Sequence, residues 1–507
     1  MVTAVVTAVI TEMVTGLFTN MSTNMTAKVN GDAFMQPASS AGPTAAQLLS
    51  EYALSVRFEQ LPADIVRLAK DCLIDAIGAA LYGHEVEAGQ AALRYVSHSP
   101  AGPCAILGTS RRVAPEAAAF AGGVLVHAAE LDSLRQPGAG VHPGAALVPA
   151  ALAAAQVSGA SGRDLLAALV AGIEVLFRIG SATKHTAEAR GFHAPGLTGP
   201  FGAAIVAGKL AGVDADTLRH ALGVAGSQSG GLLEFAKSGD GGLVKRLHLG
   251  RAAQSGIVAV QLAQAGFDGP STVLEGRYGF LQAYCEDSDA ARLTEGLGTR
   301  YETPTLCLKR YACHIVAHTP VYAAQQLRAA HDIDARRIAA VRIEGAPRLA
   351  ANHDIKQPAN QVLAQYSVPV CVAAALLHDA DDPSTFGVRL LQDPAIRELA
   401  QRVTLVATDA TGLATVTRVT LDDGTTYELA QTDFPGCPST PFTPAQLRTK
   451  FMWMTKRLGA AAHTLFERLD RVEDEADLRW LDAAIPPSPE LLHRSSPDLS
   501  LVKGDRG

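Results

Sequence analysis

Three stretches of this chain are apolar almost without a break: AALVPAALAAAQ (145–156), DLLAALVAGIEVLFRIG (164–180) and FGAAIVAGKLAGV (201–213). A helix that is apolar on every face must be surrounded, either by lipid or by other protein. The runs are 12 to 17 residues long, short of the roughly 20 that cross a bilayer. The expected setting is therefore the inside of a helical bundle. Their residues are mostly Ala, Gly, Val and Leu, and aromatics make up only 5% of the chain. Small side chains suit closely approaching helices rather than an aromatic-filled β-sandwich.

The helical pattern begins at Thr44, where GPTAAQLLSEYAL opens an amphipathic stretch, and continues to about residue 303. In LPADIVRLAKDCLIDAIGAAL, residues Ile65, Leu68, Cys72, Ile74 and Ile77 fall near one stripe. After residue 304 the character changes. IAAVRIEG, RVTLVAT, TRVTLDDG and TTYELAQT alternate with period two and are rich in β-branched residues, as strands are. TRVTLDDGTTYELA reads as a hairpin turning at Asp422-Asp423-Gly424. DFPGCPSTP then marks a linker, and a helical pattern resumes with Thr443 as its N-cap. The expected architecture is a mainly α-helical large domain built from residues 44–303 and 438–485, with an α+β domain, 304–437, inserted between them. Residues 1–43 carry five of the seven methionines and read as a disordered extension, and 486–507 as a mobile tail. A chain starting at Met35 is expected to fold and act like the full one.

A formal net charge of −7 disfavours a general nucleic-acid binder. The N-terminal stretch has no basic residue before Lys28, so it lacks the charged start of a secretory signal, and no membrane span is expected. The seven cysteines form no C-x-x-C pair, which suits free thiols in a reducing cytoplasm and offers no close-spaced zinc or iron–sulfur cassette. Walker A, G-x-G-x-x-G and G-x-S-x-G patterns are missing.

Four segments carry chemistry. In HAAELDS…GAGVHPG, Pro143 suits the first turn of a helix. His142 then sits at a helix N-terminus, where free N–H groups and the dipole favour an anion. Glu130 and Asp132 lie shortly before it. GFHAPGLTGPFG repeats the grammar around His193. VKRLHLGR clusters Lys245, Arg246, His248 and Arg251 before a helix; a walled-in lysine there could lose its proton readily or hold a carboxylate. LKRYACHIVAH places Lys309, Arg310 and His314 at the junction of the two domains, where ligand sites concentrate. His314 and His318 are four apart, a metal-binding spacing, but the glutamate of H-E-x-x-H is missing.

These segments, with AGSQSGGLLEF, GFDGPSTVLEGRYGF and YSVPVCVAAALL, follow one another across residues 44 to about 480. The ordered set resembles the MmgE/PrpD family, which includes 2-methylcitrate dehydratase, cis-aconitate decarboxylase and iminodisuccinate epimerase. The resemblance implies a helical domain with an α+β lid near 304–437, a homodimer, and no metal or other cofactor. It implies catalytic roles for His142, His193, Lys245 and His314, and substrate binding by Glu130, Asp132, Lys309 and His127. The expected activity is a lyase of the dehydratase type on a small di- or tricarboxylate. An epimerase or a cis-aconitate decarboxylase-like enzyme is the alternative, and a non-catalytic carboxylate-binding protein the third reading. The chain departs from the dehydratase and decarboxylase pattern at Glu130, at Leu134, where their acidic run ends in Thr, and at Val370, where a lid tyrosine falls.

Overall fold

A computed structural model describes residues 42–485, Ala139 apart. The expected tail and nearly all of the expected N-terminal extension lie outside these residues. Residues 44–485 pack as one compact unit.

The helical part contains α1 (Ala45–Ser55), α2 (Ala63–Gly83), α3 (Glu87–Val96), α4 (Pro115–His127), α5 (Pro143–Ser158), α6 (Gly162–Ala182), α7 (Ala194–Leu210), α8 (Ala215–Ser227) and α9 (Val244–Gln264). The three apolar runs form α5, most of α6 and most of α7. α6 is the one described helix long and apolar enough to cross a membrane, and it is packed inside the protein. A reciprocal cap starts it: Asp164 N–H donates to Ser161 Oγ, and Ser161 N–H to the Asp164 carboxylate.

Glycine sets a close helix crossing. A Cβ on Gly123 of α4 would lie 2.7 Å from the Leu249 carbonyl oxygen, and one on Gly250 of α9 would lie 2.8 Å from that of Phe120. The two helices therefore meet backbone to backbone. This brings the segment just past the end of α4, which holds Glu130, against the first turn of α9.

The α+β part contains α10 (His318–His331), α11 (Val368–Leu377), α12 (Pro394–Gln401) and four strands: β1 (Ile338–Gly345), β2 (Val403–Ala407), β3 (Thr415–Leu421) and β4 (Thr426–Gln431). Their spatial order is β2-β1-β3-β4. β1 and β2 run parallel, with Val341 opposite Val403. β3 is antiparallel to β1 and to β4. The β3–β4 hairpin turns where expected, with Gly424 at φ 84°. Alternate residues Thr415, Thr417, Val419 and Leu421 of β3 are buried, on a sheet against which α10 packs.

Two short pairings break the expected all-helical character of 44–303. Ala101–Ala105 pairs with Arg112–Val113, and Leu134–Arg135 pairs antiparallel with Leu306–Cys307. Pieces of two to five residues are too short to show a period-two signal. The second ribbon ties the segment after Glu130 to the chain entering the α+β part. α13 (Pro444–Met454) returns to pack on α2. There Lys450 pairs with buried Asp75 and donates to the Leu131 carbonyl, 3.1 Å away.

Candidate active site

A cavity of about 490 Å³ is lined by both parts of the chain. Its floor holds Glu130, Lys245 and Lys309, each about 1% exposed. His142, His193, His314 and Tyr366 form its walls, and the exposed side chains of His185, Lys237 and Arg348 stand at the rim.

Glu130 ties the floor together. Its Oε2 takes ion pairs from Lys245 and Arg246, and Oε1 accepts from Lys309 Nζ at 3.0 Å; the Glu130 carbonyl accepts from the same ammonium at 3.2 Å. Burial raises the carboxyl pKa, but Lys245, Lys309 and Arg246 outweigh it and hold Glu130 well below the usual range. Burial pushes Lys245 down to about 7, against the pull of Glu130 and with Arg246 and Lys309 pressing the same way. Glu130 itself has φ 60°, a left-handed conformation that costs a non-glycine residue roughly 1–2 kcal/mol. The ion pairs hold it there.

The VKRLHLGR cluster lies within α9 rather than before it: the helix begins at Val244, so Lys245 and Arg246 occupy its first turn. Cations there oppose the helix dipole, and Glu130 offsets that. Arg246 also donates from Nη2 to Gln365 Oε1 at 2.8 Å. Arg251 points outward to Gln254, and Arg310 pairs with Asp381 at 2.7 Å, so neither joins the site. Gly242 packs on Asn360 and Val362.

His142 and His193 are the N-cap residues of α5 and α7, as expected. The free N–H groups expected at the start of α5 are reduced by one, because Gly144 N–H donates to Ser133 Oγ at 3.0 Å. The two histidines have different partners. His142 Nδ1 lies 2.9 Å from Asp132 Oδ2, and the other oxygen of Asp132 lies 2.8 Å from His127 Nδ1. Burial raises the Asp132 pKa, but the two imidazoles hold it well below its ordinary value; burial drives His127 down to about 3. His193 Nδ1 instead meets His248 Nδ1 at 2.8 Å.

The expectation of substrate contact by Asp132 and His127 is corrected. Both are fully buried and neither lines the cavity. They stand behind His142, where Asp132 accepts the Nδ1 proton and turns Nε2 outward. His127, Asp132 and His142 bring potential ligand atoms within 4.8 Å of one another, the one such grouping among the described residues. Within it Asp132 bridges the two Nδ1 atoms, and His127 Nε2 is buried without a hydrogen-bond partner. His314 and His318 do not converge. His318 is buried and accepts from Tyr311 N–H at 3.3 Å. His314 stacks on His353, with ring centroids 4.7 Å apart, and faces the cavity. Burial, then His353, drives its pKa well below the ordinary value.

Residues 47–293 match the MmgE/PrpD N-terminal domain and residues 311–474 the MmgE/PrpD C-terminal domain. The chain belongs to the MmgE/PrpD family. Among its relatives are a cis-aconitate decarboxylase-like protein of Aspergillus oryzae, 33% identical over 55% of this chain and 61% of that protein, and a cis-aconitate decarboxylase of Aspergillus terreus, 30% identical over 55% and 59%. The human cis-aconitate decarboxylase is 26% identical over 85% of this chain and 93% of that protein. The chain thus spans about three-fifths of the length of the fungal relatives it matches.

Within this MmgE/PrpD site, several residues escaped the sequence reading. Val370 is buried in α11 and does not line the cavity, whereas Tyr366, four residues earlier, does. Lys245 Nζ lies 4.9 Å from the Tyr366 ring centre. Arg348, Lys237 and Glu188 also line the cavity. Glu188 Oε2 is buried without a hydrogen-bond partner. Lys184 and His185, just before it, both have positive φ, a clustering of strained backbone typical of functional sites. These three were not legible because no motif connects them to the floor. The positive-φ pair carries no glycine to betray it.

Proposed function

We propose that the chain is a lyase that breaks a bond beside a carboxylate of a small di- or tricarboxylate. The carrying observation is the cavity's charge and its two differently backed histidines. Lys237, Lys245, Lys309 and Arg348 face Glu130 and Glu188, an excess of two positive charges around a space of small-molecule size. That excess suits a substrate with two or more carboxylates.

The chemistry follows from the placement. When a bond beside a carboxylate breaks, the electron pair moves into the carboxylate-conjugated system as an enolate-like anion. Lys245 and Lys309 neutralise that charge at the floor, where low dielectric strengthens the attraction. His142, backed by the Asp132 carboxylate, can carry a positive charge and serves as the base. His193, backed by a neutral imidazole, delivers a proton to carbon. His314, from the α+β part, covers the site.

Two reactions use this machinery. Loss of carbon dioxide from a cis-aconitate-like acid leaves the electron pair on carbon, and a proton replaces the carboxyl group; the named activity of the relatives supports it. Dehydration removes a proton through His142 and expels the hydroxyl as water, with the proton that His193 supplies to the leaving oxygen. Glu188, a carboxylate in the cavity lining, supports it as the second reading. The seven cysteines are all free and buried, which agrees with work in a reducing cytoplasm.

The test is incubation with a carboxylate panel read by mass. A loss of 44 mass units marks decarboxylation, a loss of 18 dehydration, and deuterium uptake without mass loss epimerisation. Binding with no change in any member refutes the lyase reading. Activity that survives exhaustive chelation supports metal independence, and loss restored by added metal refutes it.

A further inference from the structure

His248 lies in the same motif as Lys245, but the mechanism above leaves it unused. Its Nδ1 is 2.8 Å from His193 Nδ1. At that separation two lone pairs repel and two N–H groups collide, so one proton lies between the rings. Both rings are neutral: burial, then Lys245, drives His193 far below its ordinary pKa and His248 down to about 4. In a neutral imidazole, the state of Nδ1 is the inverse of that of Nε2. Whichever ring holds the shared proton therefore decides whether His193 offers a donor or an acceptor at Nε2.

The surroundings hold the pair in place. Phe235 meets the His193 ring edge to face, with centroids 5.2 Å apart, and lies 5.9 Å from that of His248. The backbone N–H of His193 donates to the Gly231 carbonyl at 3.0 Å. The Gly231 backbone lies so close to His248 that a Cβ there would come within 3.2 Å of its ring. Neither ring has room to swing away.

We infer that His248 is a positioning residue: its Nδ1–H donates to His193 Nδ1 and thereby keeps a proton on the His193 Nε2 that faces the cavity. The cavity's positive excess selects an anionic ligand, and an anion beside His193 favours the tautomer that points N–H at it. When His193 gives its Nε2 proton to substrate carbon, the shared proton passes from His248 Nδ1 to His193 Nδ1. His248 takes a replacement from solvent at Nε2. One proton enters, one leaves, and neither ring becomes charged. This inference rests on the reading of His193 as a proton donor.

The test is ring-nitrogen NMR of the full chain carrying ¹⁵N-labelled histidine, with His193 assigned from its missing signals in His193→Gln. The expected result is Nε2–H on His193 and Nδ1–H on His248. In His248→Leu, His193 becomes a mixture of tautomers, and kcat on the best panel substrate falls about 10–100-fold, as when a histidine loses its orienting partner, with KM little changed. His248→Gln, whose amide can donate to the same nitrogen, restores the tautomer and most of kcat. A wild-type His193 protonated at Nδ1 overturns the inference, as does a His193 tautomer that is the same in His248→Leu. If the tautomers behave as expected but no carboxylate is turned over, the lyase reading fails while the pairing stands.

Discussion

Replacing Glu130 by Gln leaves Lys245, Arg246 and Lys309 in the floor of the cavity without their shared counter-charge. Each of these four side chains is about 98–99% buried, so solvent screening gives little relief. Removing one partner of a buried ion pair costs about 3–5 kcal/mol, because the remaining charge is left uncompensated. Unfolding entropy of about 2.1 cal/mol/K per residue over the described chain makes that a fall in Tm of about 3–5 °C. The effect has a pH signature. Because Glu130 is held below its ordinary range in the folded protein, the stability it contributes is present above the unfolded carboxyl pKa and is lost as pH falls through the folded value. The gap between wild type and Glu130→Gln is therefore widest near neutrality and closes in acid. A small dicarboxylate can take the vacated place among the three cations, so added ligand should raise the variant's Tm more than the wild type's. The assay is thermal unfolding at pH 7 and at an acid pH well below the ordinary carboxyl range, with and without dicarboxylate. A variant as stable as wild type at pH 7, or one that gains no more from ligand, refutes the account of Glu130 as the shared counter-charge.

Other perturbations read different parts of the site. Asp132→Asn removes the carboxylate behind His142, and kcat should fall by about 10²–10⁴, the range for general acid–base catalysis; unchanged turnover would remove His142 from the proton-transfer step. Arg348→Ala, at the rim, should raise KM for a dicarboxylate with kcat nearly constant, whereas a fall in kcat alone would place Arg348 in the chemical step. Lys450→Met strips buried Asp75 of its partner and should cost about 3–5 kcal/mol in denaturant unfolding. Burial already raises Asp75 to about 6, against the pull of Lys450. Its folded pKa thus exceeds the unfolded one, and stability falls as pH rises through roughly 4 to 6; a flatter wild-type profile there would contradict the raised pKa, and a Lys450→Met profile no steeper than wild type would contradict the pairing.

The fold was largely legible because its strongest signals are local. All-round apolar runs can only be core helices, and a period-two pattern around Asp422-Asp423-Gly424 can only be a hairpin, and both appear as read. The floor and wall residues were legible because each lies in a compact segment of Gly, Pro, His and Lys. What stands behind them was not. That Asp132 faces His142 and His127 rather than the substrate depends on burial, which spacing does not report. Arg310 lies next to Lys309 in sequence, but it turns to Asp381, 71 residues away. Likewise, the His193–His248 contact joins residues 55 apart, and only the packing of α7 on α9 brings them together.

The two-residue ribbon of Leu134–Arg135 with Leu306–Cys307 links the helical and the α+β parts. Upstream of one strand lie Glu130 and Asp132; two residues beyond the other lies Lys309, bound back to Glu130. Any swing of the α+β part that widens the cavity mouth must pull on this ribbon and on the loop that aims His142. The placement of the base and the placement of the α+β part are thus tied through one short ribbon.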